Sequence, residues 1–269
     1  MVIENQPLFK KAMKQFELIC RDSGVVKTDG SWSQSPMYAP YSRLYYVMDG
    51  AGMLYSEEEQ MPLEAGYVYL APCGMKYGFY GADSVKKLFF HINLTLSEDA
   101  CDAFSDYGHF IRLPRSVSYI EQLSEMLLSE DPLGHMELKG ELYQTVCEAL
   151  RVVREHGEKM ARYSVPIARA IGYIQRNLSA RLTVEEIAEA VFCSKSKLAT
   201  LFREETGQSV ARYVDDLLMS EAQTMLLYSD RMIGQISERL GFCDQFYFSR
   251  CFTKCFSVSP SQFRKRMKD

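Results

Sequence analysis

Gln245 and Arg250 lie five residues apart in a segment whose aromatic residues Phe248 and Phe252 recur at helical spacing. With Phe248 and Phe252 turned inward, the outward face of such a helix carries Gln245, Phe246, Ser249, Arg250 and Thr253. An arginine fork donates two hydrogen bonds to the edge of guanine, and a glutamine amide matches adenine. Each such pair is worth about 1–3 kcal/mol of discrimination. Phe246 or Tyr247 suits contact with a thymine methyl, and Lys254 suits a phosphate. A second set lies fifty residues upstream: Lys195, Ser196, Lys197, Ala199, Thr200 and Arg203, around the apolar positions Leu198, Leu201 and Phe202. Its cations suit phosphates, and its small residues stand where bases would be met. Any one of these side chains alone reads equally as a solvated surface group. The set points to double-stranded DNA.

The elements that must hold these sets repeat. Phe202 matches Phe252, Leu198 matches Phe248, Ser209 matches Ser259 and Tyr213 matches Phe263. About fifteen residues before each Phe stands an Ile with a small neighbour, Ile187-Ala188 and Ile236-Ser237. Thr183 with Glu186 forms a capping box for a short helix through Val191. Ser194 caps a helix over 195–205, which Thr206-Gly207 ends, and Ser209 opens a long helix to about Tyr228. Asp230 opens the second unit and Gly241 closes its first helix. A helix over 245–254 follows, and Ser259-Pro260 starts the last. Upstream, Ser164 and Pro166 fit an N-cap and first turn, with Ile167, Ile171 and Ile174 on one side. The long helix, about 19 residues, spans roughly 28 Å. The major groove faces the same side again after about 34 Å, so one chain can place two reading helices one turn apart.

Residues 166–266 resemble the DNA-binding domain of AraC/XylS-type transcriptional regulators, in the stretches LTVEEIAEAVFCSKSKLATLFREETGQSVARYV and IGQISERLGFCDQFYFSRCFTKCFSVSPSQFRKR. The family's Gly-Phe turn stands here as Gly241-Phe242, its recognition Ser-Arg as Ser249-Arg250, and its closing motif as Ser259-Pro260 with Phe263-Arg264. The resemblance implies a bacterial transcription factor and leaves RNA polymerase open as a further partner. Four residues depart from the pattern: Phe192 for a turn Gly, Ser237 for Ala, Ser257 for Gly, and Leu218 for an Arg in the linking helix. With small residues on the first reading helix, the second is expected to carry more of the sequence discrimination.

The preceding half reads differently. Short strands are predicted at 41–48, 53–55, 67–70, 76–80 and 87–96, with turns at Asp49–Gly52, Ala65-Gly66, Pro72–Gly74 and Gly81–Asp83. This is the pattern of a β-sandwich or barrel. Helices follow over 118–128 and 136–155, separated by Asp131-Pro132-Leu133-Gly134. The second carries a stripe of Leu138, Leu142, Thr145, Ala149 and Val152 or Val153. The stripe either completes the barrel core or pairs with a second copy, and homodimerisation through 118–155 is the favoured expectation. The strand region resembles, more weakly, the cupin-like sensor domain of the same regulators. Trp32, Tyr38, Tyr41, Arg43, Tyr45, Tyr67, Tyr69, Tyr77, Phe79 and Phe90 crowd these strands, and alternation turns about half inward. Tyr38, Arg43, Tyr45, Tyr69, Lys76, Tyr77 and Phe90 are the candidate ligand residues, suited to a sugar or small carboxylate. An aromatic core with a structural Arg43 ion pair is the alternative.

The fold class expected is α+β with two domains. Residues 1–160 form a cupin-like sandwich or barrel with helices, and 161–269 an all-α domain with two helix–turn–helix units joined by a long helix. The linker is expected at 156–164. Charge divides the same way: residues 1–162 carry 16 Lys+Arg against 23 Asp+Glu, and residues 163–269 carry 15 against 12. A hydrophobic content of 47% with 25% charge excludes a disordered chain. No apolar run approaches a membrane span, and MVIENQPLFKKAMKQ lacks a signal-peptide core, so the chain reads as cytoplasmic. Eight dispersed cysteines read as buried hydrophobes. Only His91 of four histidines falls in a strand, so no metal, cofactor or catalytic residue is expected. A constitutive regulator whose first half only dimerises is the main alternative. A cupin enzyme fused to a DNA-binding module is a distant third.

Overall fold

A computed structural model of the chain describes residues 16–29, 32–95, 102–105, 107–156 and 163–268. The N-terminal stretch read for a signal peptide, and most of the expected linker, lie outside these residues. Strands β1 (Glu17–Lys27), β2 (Ser33–Tyr38), β3 (Ser42–Tyr55), β4 (Gln60–Leu63), β5 (Tyr67–Ala71), β6 (Lys76–Thr95) and β7 (Ile111–Pro114) form one antiparallel sheet. Its order is β1-β6-β3-β5-β7, with β2 also on β6 and β4 also on β3. Two expected turns lie inside strands: β3 runs through Asp49–Gly52 and β6 through Gly81–Asp83. These glycines mark paired bulges, with Gly50 opposite Val85 and Gly52 opposite Gly81. Gly50 has φ +86°, and a Cβ there would lie 1.7 Å from the Ser84 carbonyl oxygen, so the bend admits only glycine.

The period of two splits β3 and β6 between two cores. Leu44, Tyr46, Met48, Leu88, Phe90, Ile92 and Leu94 face two helices, α1 (Val117–Leu128) and α2 (Pro132–Glu155). The stripe Leu138, Leu142, Ala149 and Val153 is spent on this sheet core and is not free for a second copy. The helix begins earlier than the pattern showed because Asp131 caps it, accepting from the Leu133 and Gly134 amides, with Pro132 in the first turn. Buried polar groups join helix to sheet. The Tyr46 hydroxyl donates to Thr145 Oγ1 at 3.0 Å, Thr145 donates to Glu141 at 2.9 Å, and Arg115 pairs with Glu141 at 3.2 Å. Burial raises the Tyr46 phenol well above its usual range, so it stays a donor.

The helical half contains α3 (Val165–Arg176), α4 (Val184–Ala190), α5 (Lys195–Thr206), α6 (Val210–Tyr228), α7 (Ile233–Arg239), α8 (Gln245–Phe256) and α9 (Pro260–Lys268) around one core. The repeat is physical. Phe202 and Phe252, Leu198 and Phe248, and Ile187 and Ile236 are fully buried at matching places. Thr183 and Glu186 form the capping box. Ser164 makes no side-chain cap; its amide and hydroxyl both donate to Glu205 at 2.7 Å. Leu218 is buried in the core, so its position serves packing and holds no phosphate.

Candidate nucleic-acid interface and sensor interior

The two reading helices leave the same backbone turn. In the first unit the Phe192 amide bonds Glu189 and the Cys193 amide bonds Ala188; in the second, Gly241 bonds Glu238 and Phe242 bonds Ser237. Both turn residues are left-handed, Phe192 at φ +55° and Gly241 at φ +79°. The second turn is the tighter, since a Cβ there would lie 2.1 Å from Ser179 Oγ and that side chain would have to turn away. No such segment crosses Phe192, whose side chain is 94% exposed. The departure at Phe192 thus costs backbone strain and no clash.

On α5, which Ser194 caps through the Lys197 amide, Lys195, Ser196, Lys197, Ala199, Thr200 and Arg203 are all exposed on one side of Leu198 and Phe202. Lys195 is ion-paired with Glu185 of α4, so this cation is partly neutralised. On α8, Asp244 caps through the Phe246 and Tyr247 amides, and those two hydrogen bonds help hold its carboxyl below the usual range. Gln245, Phe246, Tyr247, Arg250 and Lys254 are exposed, and the Arg250 guanidinium lies 5.8 Å from the Tyr247 ring centroid. Ser249 is the exception: it is half-buried and its hydroxyl donates to the Gln245 carbonyl at 2.7 Å. That is the usual fate of a mid-helix serine, and it spends the donor on the helix itself. The units are joined by α6, 19 residues long and about 28 Å at 1.5 Å per residue. Arg264 of α9 donates to the Leu226 carbonyl at 3.3 Å, holding the end of that rod.

The other face of the sheet gathers Trp32, Tyr45, Tyr69, Tyr77, Phe79, Phe89 and Phe110. Arg43, Tyr45, Tyr69 and Tyr77 of the candidate ligand set lie here or border it. Three candidates do not. Phe90 is one residue out of phase and packs edge-on against Tyr46 in the opposite core. Lys76 is exposed and pairs with Glu57 at 3.3 Å, and Tyr38 packs against the core of the helical half. Arg43 is buried and donates to the Tyr77 hydroxyl at 3.0 Å, with Tyr41 and Tyr77 ring centroids 5.5 Å away. It makes no ion pair among the described residues, and the aromatic side chains around it are packed as core. Lys87, fully buried, was missed because a lysine in a strand reads as solvent-facing. Its phase with Val85, Phe89 and His91 was the available signal. His91 Nδ1 lies 4.0 Å from Asp22, yet burial, with Arg43 and Lys87 nearby, holds the imidazole well below its usual pKa. It is therefore a neutral ring stacked 4.7 Å from Tyr41.

Tyr41 carries the sheet to the rod. Its buried hydroxyl bonds Thr224 of α6, and burial pushes its pKa up to about 12. Gln175 donates to Cys73 Sγ at 3.1 Å, and Arg21 reaches the Gln175 carbonyl at 3.3 Å. Beside these contacts a cleft of about 170 Å³ opens, lined by Arg21, Asp22, Glu221, Arg231 and Arg239 among others.

Two helix–turn–helix units on one rod, docked to an aromatic-lined antiparallel sheet, define a DNA-binding protein with a separate N-terminal module. Residues 187–266 match the family model described as a helix-turn-helix domain. The chain is 24% identical to the Msm operon regulatory protein of Streptococcus mutans, with 96% of each chain covered. It is also 24% identical to the lactose operon transcription activator of Staphylococcus xylosus over 83% of each. Over 99 residues it is 36% identical to the arabinose operon regulatory protein of Escherichia coli, a stretch that covers 36% of this chain and 34% of that one. Among solved structures, ToxT of Vibrio cholerae shares the fold at TM-score 0.61 and 11% identity, over 94% of this chain and 98% of that one. Another ToxT structure, at TM-score 0.59 and 13% identity, is of the protein bound to unsaturated fatty acid. The chain is a DNA-binding transcriptional regulator that is similar to operon regulators of this kind.

Proposed function

We propose that this regulator is ligand-responsive, with residues 1–160 sensing a small molecule and residues 161–269 reading DNA. The observation that carries the reading is the buried Tyr41–Thr224 contact, which ties the aromatic sheet interior to the helix that spaces the two reading helices. A ligand that shifts Tyr41 or its neighbour Arg43 biases the angle of that helix, and so the fit of α5 and α8 to successive major grooves. In this reading Gln245 and Arg250 specify bases, Lys197, Arg203 and Lys254 hold phosphates, and the protein acts as a cytoplasmic non-enzyme. The relatives named for lactose and arabinose operons support a sugar-related effector, and the acid-bound ToxT supports a carboxylate. Homodimerisation rests on Leu128, Leu133 and Met136, which are 60–71% exposed around the α1–α2 turn and uncommitted to the sheet core. RNA polymerase is the partner an activator of this class needs.

The test is a footprint together with a thermal-shift screen. Protection is expected over about two helical turns per chain, weakened when Gln245 and Arg250 are both alanine. At least one sugar or organic acid is expected to raise Tm and alter promoter occupancy. Unchanged binding by the double variant sinks the assignment of α8. A screen without any stabilising compound favours a constitutive regulator, a reading to which the close stacking of Trp32 on Phe79 (4.5 Å) lends support.

A further inference from the structure

The inward face of the sheet holds donors without acceptors. Lys87 Nζ, Arg43 Nε and Gln34 Nε2 are each buried with no hydrogen-bond partner. Gln34 stands directly opposite Phe79, and Lys87 opposite Val47, so register puts both on the same face as Tyr45 and Trp32. Lys87 Nζ sits 3.2 Å from the Trp32 ring centroid and 4.1 Å from that of Tyr45. Lys87 Nζ and the Arg43 guanidinium each lie 5.9 Å from the centre of Phe79, so one ring borders both. No carboxylate is hydrogen-bonded or ion-paired to either cation among the described residues. Two basic groups buried without a counter-charge are costly, and the aromatic faces offset that only partly. Burial and Arg43 hold the Lys87 amine well below its usual range, which makes it a group whose charge an incoming anion would restore.

The geometry points to a small organic anion as the effector, its carboxylate or phosphate group received by Arg43 and Lys87 and its carbon frame by the Trp32, Tyr45 and Phe79 rings. This rests on the reading of the sheet interior as a sensor pocket and adds the charge of what it takes. A neutral sugar presents hydroxyls that must both donate and accept. An oxyanion only accepts, which matches the unpartnered Arg43 Nε and Gln34 Nε2, and Lys87 Nζ once it is protonated, all of which donate. Lys87 fills the space against Trp32 in this structure, so binding draws its amine off the indole and onto the anion.

Trp32 is the single tryptophan of the chain, so its emission reports this movement directly. The full-length protein is titrated with galacturonate against galactose, and with glucose 6-phosphate against glucose, at matched ionic strength. Tm is followed alongside fluorescence. At least one acid is expected to change the emission saturably and raise Tm, while its neutral counterpart does neither. Arg43→Gln and Lys87→Met are each expected to weaken that acid by about tenfold or more. Lys87→Met keeps the aliphatic stem against Trp32, so it carries the test alone if Arg43→Gln does not fold. A neutral sugar that binds as well as its acid overturns the anion assignment and leaves the sensor reading standing. No response to any of the four probes overturns the assignment, and the sensor reading falls only if a full sugar and organic-acid panel is also silent. A Tm shift with unchanged Trp32 emission, insensitive to Lys87→Met, overturns it by placing the anion elsewhere, such as the cleft near Arg21, Arg231 and Arg239.

Discussion

The helices α5 and α8 bury apolar side chains at the same places and are unlike in nearly every residue that faces out. Both are 12 residues long, both bury an aromatic completely at the same place, and both end in a left-handed residue. Outward, α5 offers Ser196, Ala199 and Thr200 among cations, whereas α8 offers Gln245, Phe246, Tyr247 and Arg250. Packing holds the first set of positions apolar, since a cavity or an overfilled site costs kilocalories. Solvent imposes no such demand on the second set. The repeat therefore keeps one scaffold while its two outward faces differ, which is what the proposed division into an anchoring and a discriminating copy rests on.

The equivalence of the two scaffolds is broken most severely by emptying their cores. Phe202→Ala and Phe252→Ala are each expected to cost about 3–5 kcal/mol, measured by denaturant unfolding of the full chain. A much smaller loss at one site would show that the two copies are not equally packed. The difference between the faces is sharpened by exchanging Gln245 and Arg250 together for alanine and, separately, Ser196 and Thr200. The first pair is expected to lower preference for a selected site over random DNA by roughly tenfold or more. The second is expected to change it little, as read by competition binding.

Smaller effects divide the turns. Gly207 ends α5 at φ +76°, while Ser257 ends α8 at φ +59°. Gly207→Ala should destabilise, and Ser257→Gly stabilise, each by about 1 kcal/mol, as shifts of opposite sign in Tm. The caps differ in acid. Asp244 has its pKa lowered, so its contribution is full above the ordinary carboxylate pKa of 3.8 and is lost as pH falls through the lowered value. The hydroxyl cap Ser194 does not titrate. Amide exchange is expected to show Phe246 and Tyr247 losing protection in strong acid before Lys197 does.

The helical half was legible because its signals are local. Thr183 with Glu186, Ser194, Gly207 and Ser209 cap and stop helices whichever way the chain folds around them. The sheet was less so, because its signals are shared with other structures. Gly50 and Gly81 look like turn residues, and only pairing across β3 and β6 shows them to be bends in continuous strands. β1 was missed because it is half-exposed along its length and lacks clean alternation. Within the candidate sensor site, one residue of phase separates Phe90 from Phe89, and composition cannot supply that phase. Lys87 and Gln34 escaped because residue type argues for water, and only register puts them inside.

The Tyr41–Thr224 contact has a consequence for recombination. A spacing rod that is also a docking surface is not neutral cargo: its Thr224 is part of the seam with the sheet. Exchanging the N-terminal half for that of a relative therefore replaces one side of a buried hydrogen bond and leaves the other. Successful hybrids should be those whose donor sequence supplies a hydroxyl or another hydrogen-bonding group in place of Tyr41. Grafts that place an aliphatic residue there should lose this hydrogen bond and dock the two halves more weakly.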